Sequence, residues 1–441
     1  MQKGIRLYNL YPKLVGEIPK WKEYIDRAHY MNFDWIYINP ISVSGFSGSD
    51  YAVKNYYQYN PMFIKAWPLS PEDYSDDFLD RNIEKGNTYL RDICSYSKTL
   101  GINIMLDLVI NHTAIDSPLT KEKPEWYKKD SNGNILNPGA DDNGTWVTWG
   151  DLAQIDNENS ADKENLWKYW LDLIRHYCSL GIRGFRCDAA YHVPADLWTY
   201  LISNIKKEYR DVVFLGETLG CTPKELQVVA HAGFDIVMNS FKWWNYKDEW
   251  FLKDYKEWAG LYPSLTFPEN HDTERYAKEI NGNKDKAINT YAIQAYFCSS
   301  IGITLGFELG FERKINVVQT NPTWQEDGKY SIIEEIREIN KLKQELSVLQ
   351  EDNFIEIKHF NNFNIFSFVK ESKDKREKIL VVANLNENNW EHLFIENINC
   401  IMGAEAGQIK DLSLGHKMIE IPKDLDYHLK PLEVKLFYLK K

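Results

Sequence analysis

Eight short apolar runs, interleaved with stretches of helical period, fill the first three-quarters of the chain and leave few architectures open to it. The runs are Ile5–Tyr11, Trp35–Pro40, Ile102–Ile110, Ile182–Ala189, Val212–Thr218, Phe234–Asn239, Ser264–Pro268 and Ile303–Gly306. Helix-like segments lie among them at Trp21–Met31, Gly86–Leu100, Ser160–Leu180, Pro194–Tyr209, Pro223–Ala232 and Lys284–Ser299. Strands that alternate with helices pair in parallel, and eight of them close a (β/α)8 TIM barrel of the α/β class. A doubly wound open sheet is the rival. It calls for a Gly-rich phosphate turn after an early strand, and none is present.

Two departures from the alternation define the remaining organisation. After the third strand, residues 113–155 are rich in Pro, Gly, Asn, Asp and Trp, and a connection that long is usually functional. It reads as a short inserted subdomain within a catalytic barrel of residues 1–352. From residue 353 to 441 the helices stop. Short alternating strands (Phe354–Phe360, Ile365–Phe368, Lys378–Leu385, His392–Ile395, Lys417–Ile421, Val434–Tyr438) predict a C-terminal antiparallel β-sandwich.

Composition narrows the partners. A net charge of −12 argues against a non-specific nucleic-acid surface. No apolar run is long enough to span a bilayer, and the start Met1-Gln2-Lys3-Gly4 has no signal-peptide core. The six cysteines form no CxxC pair or Cys/His cluster, so free thiols in a reducing, cytoplasmic setting are expected. Aromatic residues make up 14% of the chain, a surplus that suits ligands with flat CH faces, such as sugars.

The chemistry is concentrated at strand ends, where barrels of this kind carry it. The third strand ends Asp107-Leu108-Val109-Ile110-Asn111-His112 and the fourth Arg186-Cys187-Asp188. The fifth ends Leu215-Gly216-Glu217-Thr218, and the seventh runs into Glu269-Asn270-His271-Asp272. Residues i and i+2 of a strand share a face, so Arg186 stands beside Asp188. A guanidinium there favours the ionised carboxylate, as a nucleophile or anionic anchor requires; an ordinary ion pair is the alternative.

Together these four segments resemble the signature regions of the α-amylase superfamily, glycoside hydrolase family 13. Order, spacing, barrel, insertion and C-terminal β domain all take part in the likeness. The resemblance implies a retaining glycosidase with Asp188 as nucleophile, Glu217 as general acid and base, and Asp272 as the third carboxylate. A retaining pair is held about 5–5.5 Å apart. Arg186, His112, His271, Tyr51 and Tyr191 would contact or frame the sugar, and Asp107 would support Arg186 from behind. In calcium-binding relatives Asn111, Asp151 and the carbonyl of His192 would hold the ion; no other cofactor is implied.

The chain departs from the pattern in places. Ala52 follows Tyr51 where many relatives have Asp, and Tyr191 stands where amylases carry a lysine on the acceptor side. The stretches Pro124–Gly133 and Gly306–Leu309 are similar instead to intracellular α-glucan maltosyltransferases. The expected substrate is therefore an α-linked oligosaccharide or α-glucan, cleaved by hydrolysis. Transglycosylation through the same intermediate is the alternative, and an inactive binding or scaffold homologue a third. The aromatic segment Phe241–Trp250 is expected to shape the acceptor side.

Overall fold

A computed structural model describes residues 3–142, 145–259, 263–353 and 355–441. Residues 143 and 144 of the expected insertion, and Phe354 at the head of an expected strand, lie outside the described residues. The eight barrel strands are β1 (Arg6–Leu10), β2 (Trp35–Ile38), β3 (Asn103–Leu108), β4 (Gly184–Cys187), β5 (Val213–Gly216), β6 (Ile236–Met238), β7 (Ser264–Thr266) and β8 (Ser300–Thr304). They pair in parallel round a closed ring, and β1 returns to β8 with Arg6 opposite Ile301. The longer helices are α1 (Trp21–Tyr30), α2 (Ile83–Thr99), α3 (Lys163–Ser179), α4 (Ala195–Glu208), α5 (Pro223–His231), α6 (Trp250–Trp258), α7 (Lys284–Phe297) and α8 (Ile333–Glu345), and several short helical turns lie in the loops. Among the described residues no helix is long and apolar enough to cross a membrane.

Strand alternation divides the core in two. Inward residues such as Leu7, Trp35, Tyr37, Met105, Leu215 and Leu265 fill the barrel lumen. Outward ones, among them Ile36, Ile38, Leu106, Phe185 and Cys187, join the helices in a continuous annular core. Gly184 faces inward, where a Cβ would stand 2.6 Å from the Trp35 ring and 2.9 Å from Met105. The missing side chain is what lets the Trp35 indole occupy the lumen.

Strand β8 begins three residues before the expected start and ends at Thr304, not Gly306. The helix before it stops at Phe297, and Asp352 accepts the Ser299 N–H (2.9 Å) and the Ser264 N–H (2.6 Å), opening both strands from one carboxylate.

The C-terminal strands are β9 (Ile355–Lys358), β10 (Ile365–Glu371), β11 (Glu377–Asn384), β12 (Glu391–Ile395), β13 (Lys410–Asp411), β14 (Leu425–Leu429) and β15 (Val434–Lys440). They form an antiparallel sheet in the order β9-β10-β11-β15-β13 and a two-stranded ribbon, β12-β14. Leu380, Val382, Leu393, Leu425 and Phe437 pack between the two layers. The expected strand Lys417–Ile421 is not one: Ile419 is fully exposed, and the partner of β12 is β14, with Leu425 and Leu429 buried at every fourth residue.

Helix α7 joins barrel and sheet. Every residue from Asn289 to Phe297 is buried, because the C-terminal sheet covers the face that solvent would otherwise take. Asn289 donates to the carbonyls of Asn384 (3.1 Å) and Leu432 (3.0 Å). At its C-terminal end, buried Lys343 donates to the Ala295 and Cys298 carbonyls and Lys370 to that of Phe297, where the helix dipole favours cations.

Candidate active site

Three of the four motif strand ends line one cleft of about 460 Å³, through Asn111 and His112, Asp188, and His271 and Asp272, with Tyr51 and Tyr191 beside them, and Glu217 reaches its wall by accepting the N–H of the cleft residue Ala189. Arg186 is the register partner of Asp107 across β4 and β3, and both side chains point into the barrel. One guanidinium nitrogen, Nη1, lies 3.0 and 3.2 Å from the two Asp107 oxygens and 2.6 Å from Asp188 Oδ1. The Asp107 side chain is wholly buried, and burial raises its carboxyl while the Arg186 charge opposes that rise.

The ladder between β4 and β5 continues past the strands: the Glu217 N–H donates to the Cys187 carbonyl at 3.1 Å and the Ala190 N–H to the Glu217 carbonyl at 3.1 Å. Between them Ala189 takes a left-handed backbone, φ 41°, a conformation that costs about 1–2 kcal/mol for a residue with a Cβ. That turn aims the Ala189 N–H at Glu217 Oε2 (3.0 Å), while the Leu219 N–H meets Oε1 (2.9 Å). Burial pushes the Glu217 carboxyl up to about 7; Arg186 pulls it down, and the Asp188 charge adds to the rise.

Asp272 is more open, its side chain 59% exposed. Asn270 Oδ1 shapes its turn by accepting the N–H groups of Asp272 and Thr273, each at 3.0 Å. His271 lies between two rings, stacked on Tyr51 at 5.5 Å and Tyr11 at 6.4 Å, with Nε2 3.1 Å from Asp272. Glu269 of the same segment stays out of the cleft, buried against Arg275 at 2.5 Å.

His112 gives its Nε2 hydrogen to the Tyr51 carbonyl at 3.2 Å, which leaves Nδ1 buried without a partner among the described residues. Burial lowers the affinity of this ring for a second proton, so Nδ1 is an acceptor. Tyr191 packs on His192 at 4.3 Å between ring centres, and its phenol is pushed up to about 12 by burial and by Glu217. Asn111, Asp151 and His192 line the same cleft. The Asn111 and Asp151 side chains make no hydrogen bond among the described residues, so two oxygen donors are free at one edge. Among the described residues no three His, Cys, Asp or Glu side chains gather as a metal cluster.

Several contributors are not legible from motifs. Trp149, from the insertion, and Val318 line the cleft. Lys13 pairs with Asp50 at 2.9 Å, both buried, and Tyr11 donates to Asp50 at 2.7 Å, which anchors the loop that carries Tyr51. The segment Phe241–Trp250 does not shape the cleft. Phe241 and Trp244 are buried against Phe251, Phe297 and, for Trp244, Phe366 of the C-terminal sheet.

A family model for the glucanotransferase domain of glycogen debranching enzyme matches residues 1–139. An α-amylase 2 of Dictyoglomus thermophilum is 25% identical over 439 residues, covering 92% of this chain and 69% of its own length. An α-1,4-glucan:maltose-1-phosphate maltosyltransferase of Picrophilus torridus is 23% identical over 410 residues, 88% of this chain and 61% of that protein. The likeness is to the α-amylase superfamily. Solved structures of superfamily members superpose over the whole molecule: an α-amylase from H. orenii at a TM-score of 0.78 (17% identity, 100% of both chains) and one from Lactobacillus plantarum at 0.77 (19%, 98% of both). The superfamily's maltosyltransferases run longer, for this chain spans 61% of the Picrophilus protein and 26% of one from Burkholderia pseudomallei.

Proposed function

We propose that the chain is a retaining glycosidase that hydrolyses α-glucosidic bonds in oligosaccharides or α-glucans through a covalent glycosyl-enzyme. The observation that carries this reading is the contrast between two carboxyls on adjacent strand ends. Asp188 is ion-paired to Arg186, while Glu217 holds its proton up to about 7. A nucleophile needs the first state and a general acid the second. Asp188 attacks the anomeric carbon as Glu217 protonates the departing oxygen. Glu217 then takes a proton from the water that releases the sugar. Asp272 and His271 grip hydroxyls of the bound sugar.

A second cleft of about 500 Å³ shares Val318 with the first and carries the exposed aromatics Phe46 and Trp67, which supports a substrate of several sugar units. Six free cysteines fit a reducing, cytoplasmic setting. Calcium is a finer proposal. Asn111 Oδ1, an Asp151 oxygen and the His192 carbonyl suit a hard cation but supply only part of its usual six to eight oxygens, so binding would be weak and structural.

Transfer to a sugar acceptor is the second reading. It is favoured by Tyr191 in the lysine position and by Trp149 on the open side of the cleft, both faces on which an acceptor sugar can stack. Incubation with maltoheptaose separates the two. New reducing ends are expected; longer and shorter oligosaccharides at constant reducing power would establish transfer instead. Turnover of α-maltosyl fluoride, abolished in Asp188→Asn, is expected of either. A wild-type protein inert to every α-glucosyl donor would leave only a binding or scaffold role.

A further inference from the structure

Beneath the cleft, hydrogen-bond direction can be followed from a backbone carbonyl to the carboxylates. The side-chain Nδ2 of Asn9 lies 3.2 Å from the Tyr37 carbonyl oxygen, which can only accept. That contact fixes the orientation of the Asn9 amide. The same nitrogen is 2.7 Å from Asn39, whose facing atom must then be its oxygen. The Asn39 nitrogen is left to donate to two phenols, those of Tyr37 and Tyr51, each at 3.1 Å. With an amide hydrogen arriving at each oxygen, each phenol sends its own proton onward. Both end at Asp107 Oδ2, Tyr37 at 2.5 Å and Tyr51 at 2.8 Å.

Asp107 and Asp188 share one nitrogen, Arg186 Nη1, which has a hydrogen for each, so a pull from either carboxylate moves the donor of the other. Asp107 is the more buried of the two, and without other donors it would draw the guanidinium inward. The two phenols supply those donors. Tyr51 also serves the cleft, and its oxygen lies 2.7 Å from His271 Nε2, whose hydrogen makes that contact. Tyr37 is buried in the lumen core and does not line the cleft.

We propose that Tyr37 is a positioning residue: its phenol, oriented by Asn39, satisfies Asp107 and so keeps Arg186 Nη1 in place for Asp188. The inference rests on the glycosidase reading of the site. The charged and titratable groups that bear on Asp107 are Arg186, Asp188, His271, Cys187 and the two phenols. Those that bear on Asp188 are Arg186, Asp107, Glu217, His112, Cys187, Tyr191 and His192. None of these replaces the Tyr37 hydrogen bond.

The test compares Tyr37→Phe with the wild type on α-maltosyl fluoride, a donor whose leaving group needs no proton from Glu217, so that the nucleophile's side of the reaction is read. Loss of one hydrogen bond to a charged group should lower kcat about tenfold. KM should stay within about twofold, and the acid limb of the kcat/KM profile should move to higher pH. Asn39→Ala, which removes the orienting amide and keeps both phenols, should shift kcat and the acid limb in the same direction. An unchanged kcat and acid limb in Tyr37→Phe, whatever happens to Tm, overturns the proposal and leaves a structural phenol. If that variant does not fold, an unchanged profile in Asn39→Ala does the same. A wild type that turns over no fluoride overturns the glycosidase reading, and this inference with it; wild-type turnover with indifferent variants overturns this inference alone.

Discussion

Glu217 is held by opposed influences. Two backbone N–H groups donate to its oxygens and Arg186 attracts its charge, yet burial and the neighbouring Asp188 prevail and raise it to about 7. The functional consequence is a basic limb: the acid form is lost as pH rises through about 7, and kcat/KM should fall there. The stability consequence has the same sign. A carboxyl raised in the fold contributes fully below its ordinary value near 4.5 and loses that contribution as pH climbs through about 7, on the order of 3 kcal/mol in all. Glu217→Gln removes this titration, so the wild type should lose Tm relative to the variant between pH 5 and pH 8. Parallel melting curves across that range would contradict the assignment. At this scale the motif residues are legible because strand alternation places Arg186 and Asp188 on one face and a matching register brings Asp107 to them. Tyr37 is not. Within Trp35-Ile36-Tyr37-Ile38 it reads as one more core aromatic, and only the phenol's direction sets it apart.

Three loops meet at one edge of the cleft: the end of β3 with Asn111, the insertion with Asp151, and the turn after β4 with His192. A cation shared by their oxygens would tie them together. Millimolar calcium should therefore raise Tm by about 1–3 °C, reversed by EDTA, since a weak ligand stabilises only by mass action. A flat titration would remove calcium from the account. Element identity was readable where the hydrophobic period was clean, as in α3, whose buried Leu166, Trp170, Leu173 and Tyr177 recur at helical spacing. It blurred where burial is total. Helix α7 runs without a polar face into Ser299-Ser300-Ile301, so nothing in the residue pattern marks where the helix stops and β8 starts. The Asp352 carboxylate that opens β8 is distant in sequence. Lys417–Ile421 misled for the opposite reason: Ile419 faces solvent, and Met418 and Ile421, which do pack on the core, are three residues apart and not two.

For the molecule as a whole, the C-terminal sheet is a structural part of the barrel's outer wall. Phe366 and Phe368 pack against Phe297, Trp244 and their neighbours, and Asn289 is bonded to two carbonyls of the sheet region. Cutting the chain after residue 352 would bare a contiguous aromatic face far beyond what a soluble monomer tolerates. The shortened protein should aggregate on expression; a monodisperse product with the parent's Tm would show that the barrel stands without its sheet. The change from alternating strands and helices to an antiparallel sheet was legible in the sequence, but the dependence of one part on the other was not, because it lies in an α7 surface that no local pattern distinguishes.

The pairing of β1 with β8 also bears on how the protein comes into being. Arg6 is polymerised nearly three hundred residues before its partner Ile301. At about 5–20 residues per second, that interval is roughly 15–60 s. Throughout it, one flank of β1 has no strand to meet. The nascent barrel thus carries an unsatisfied edge until its eighth strand is made, and the barrel strand made first is the one completed last.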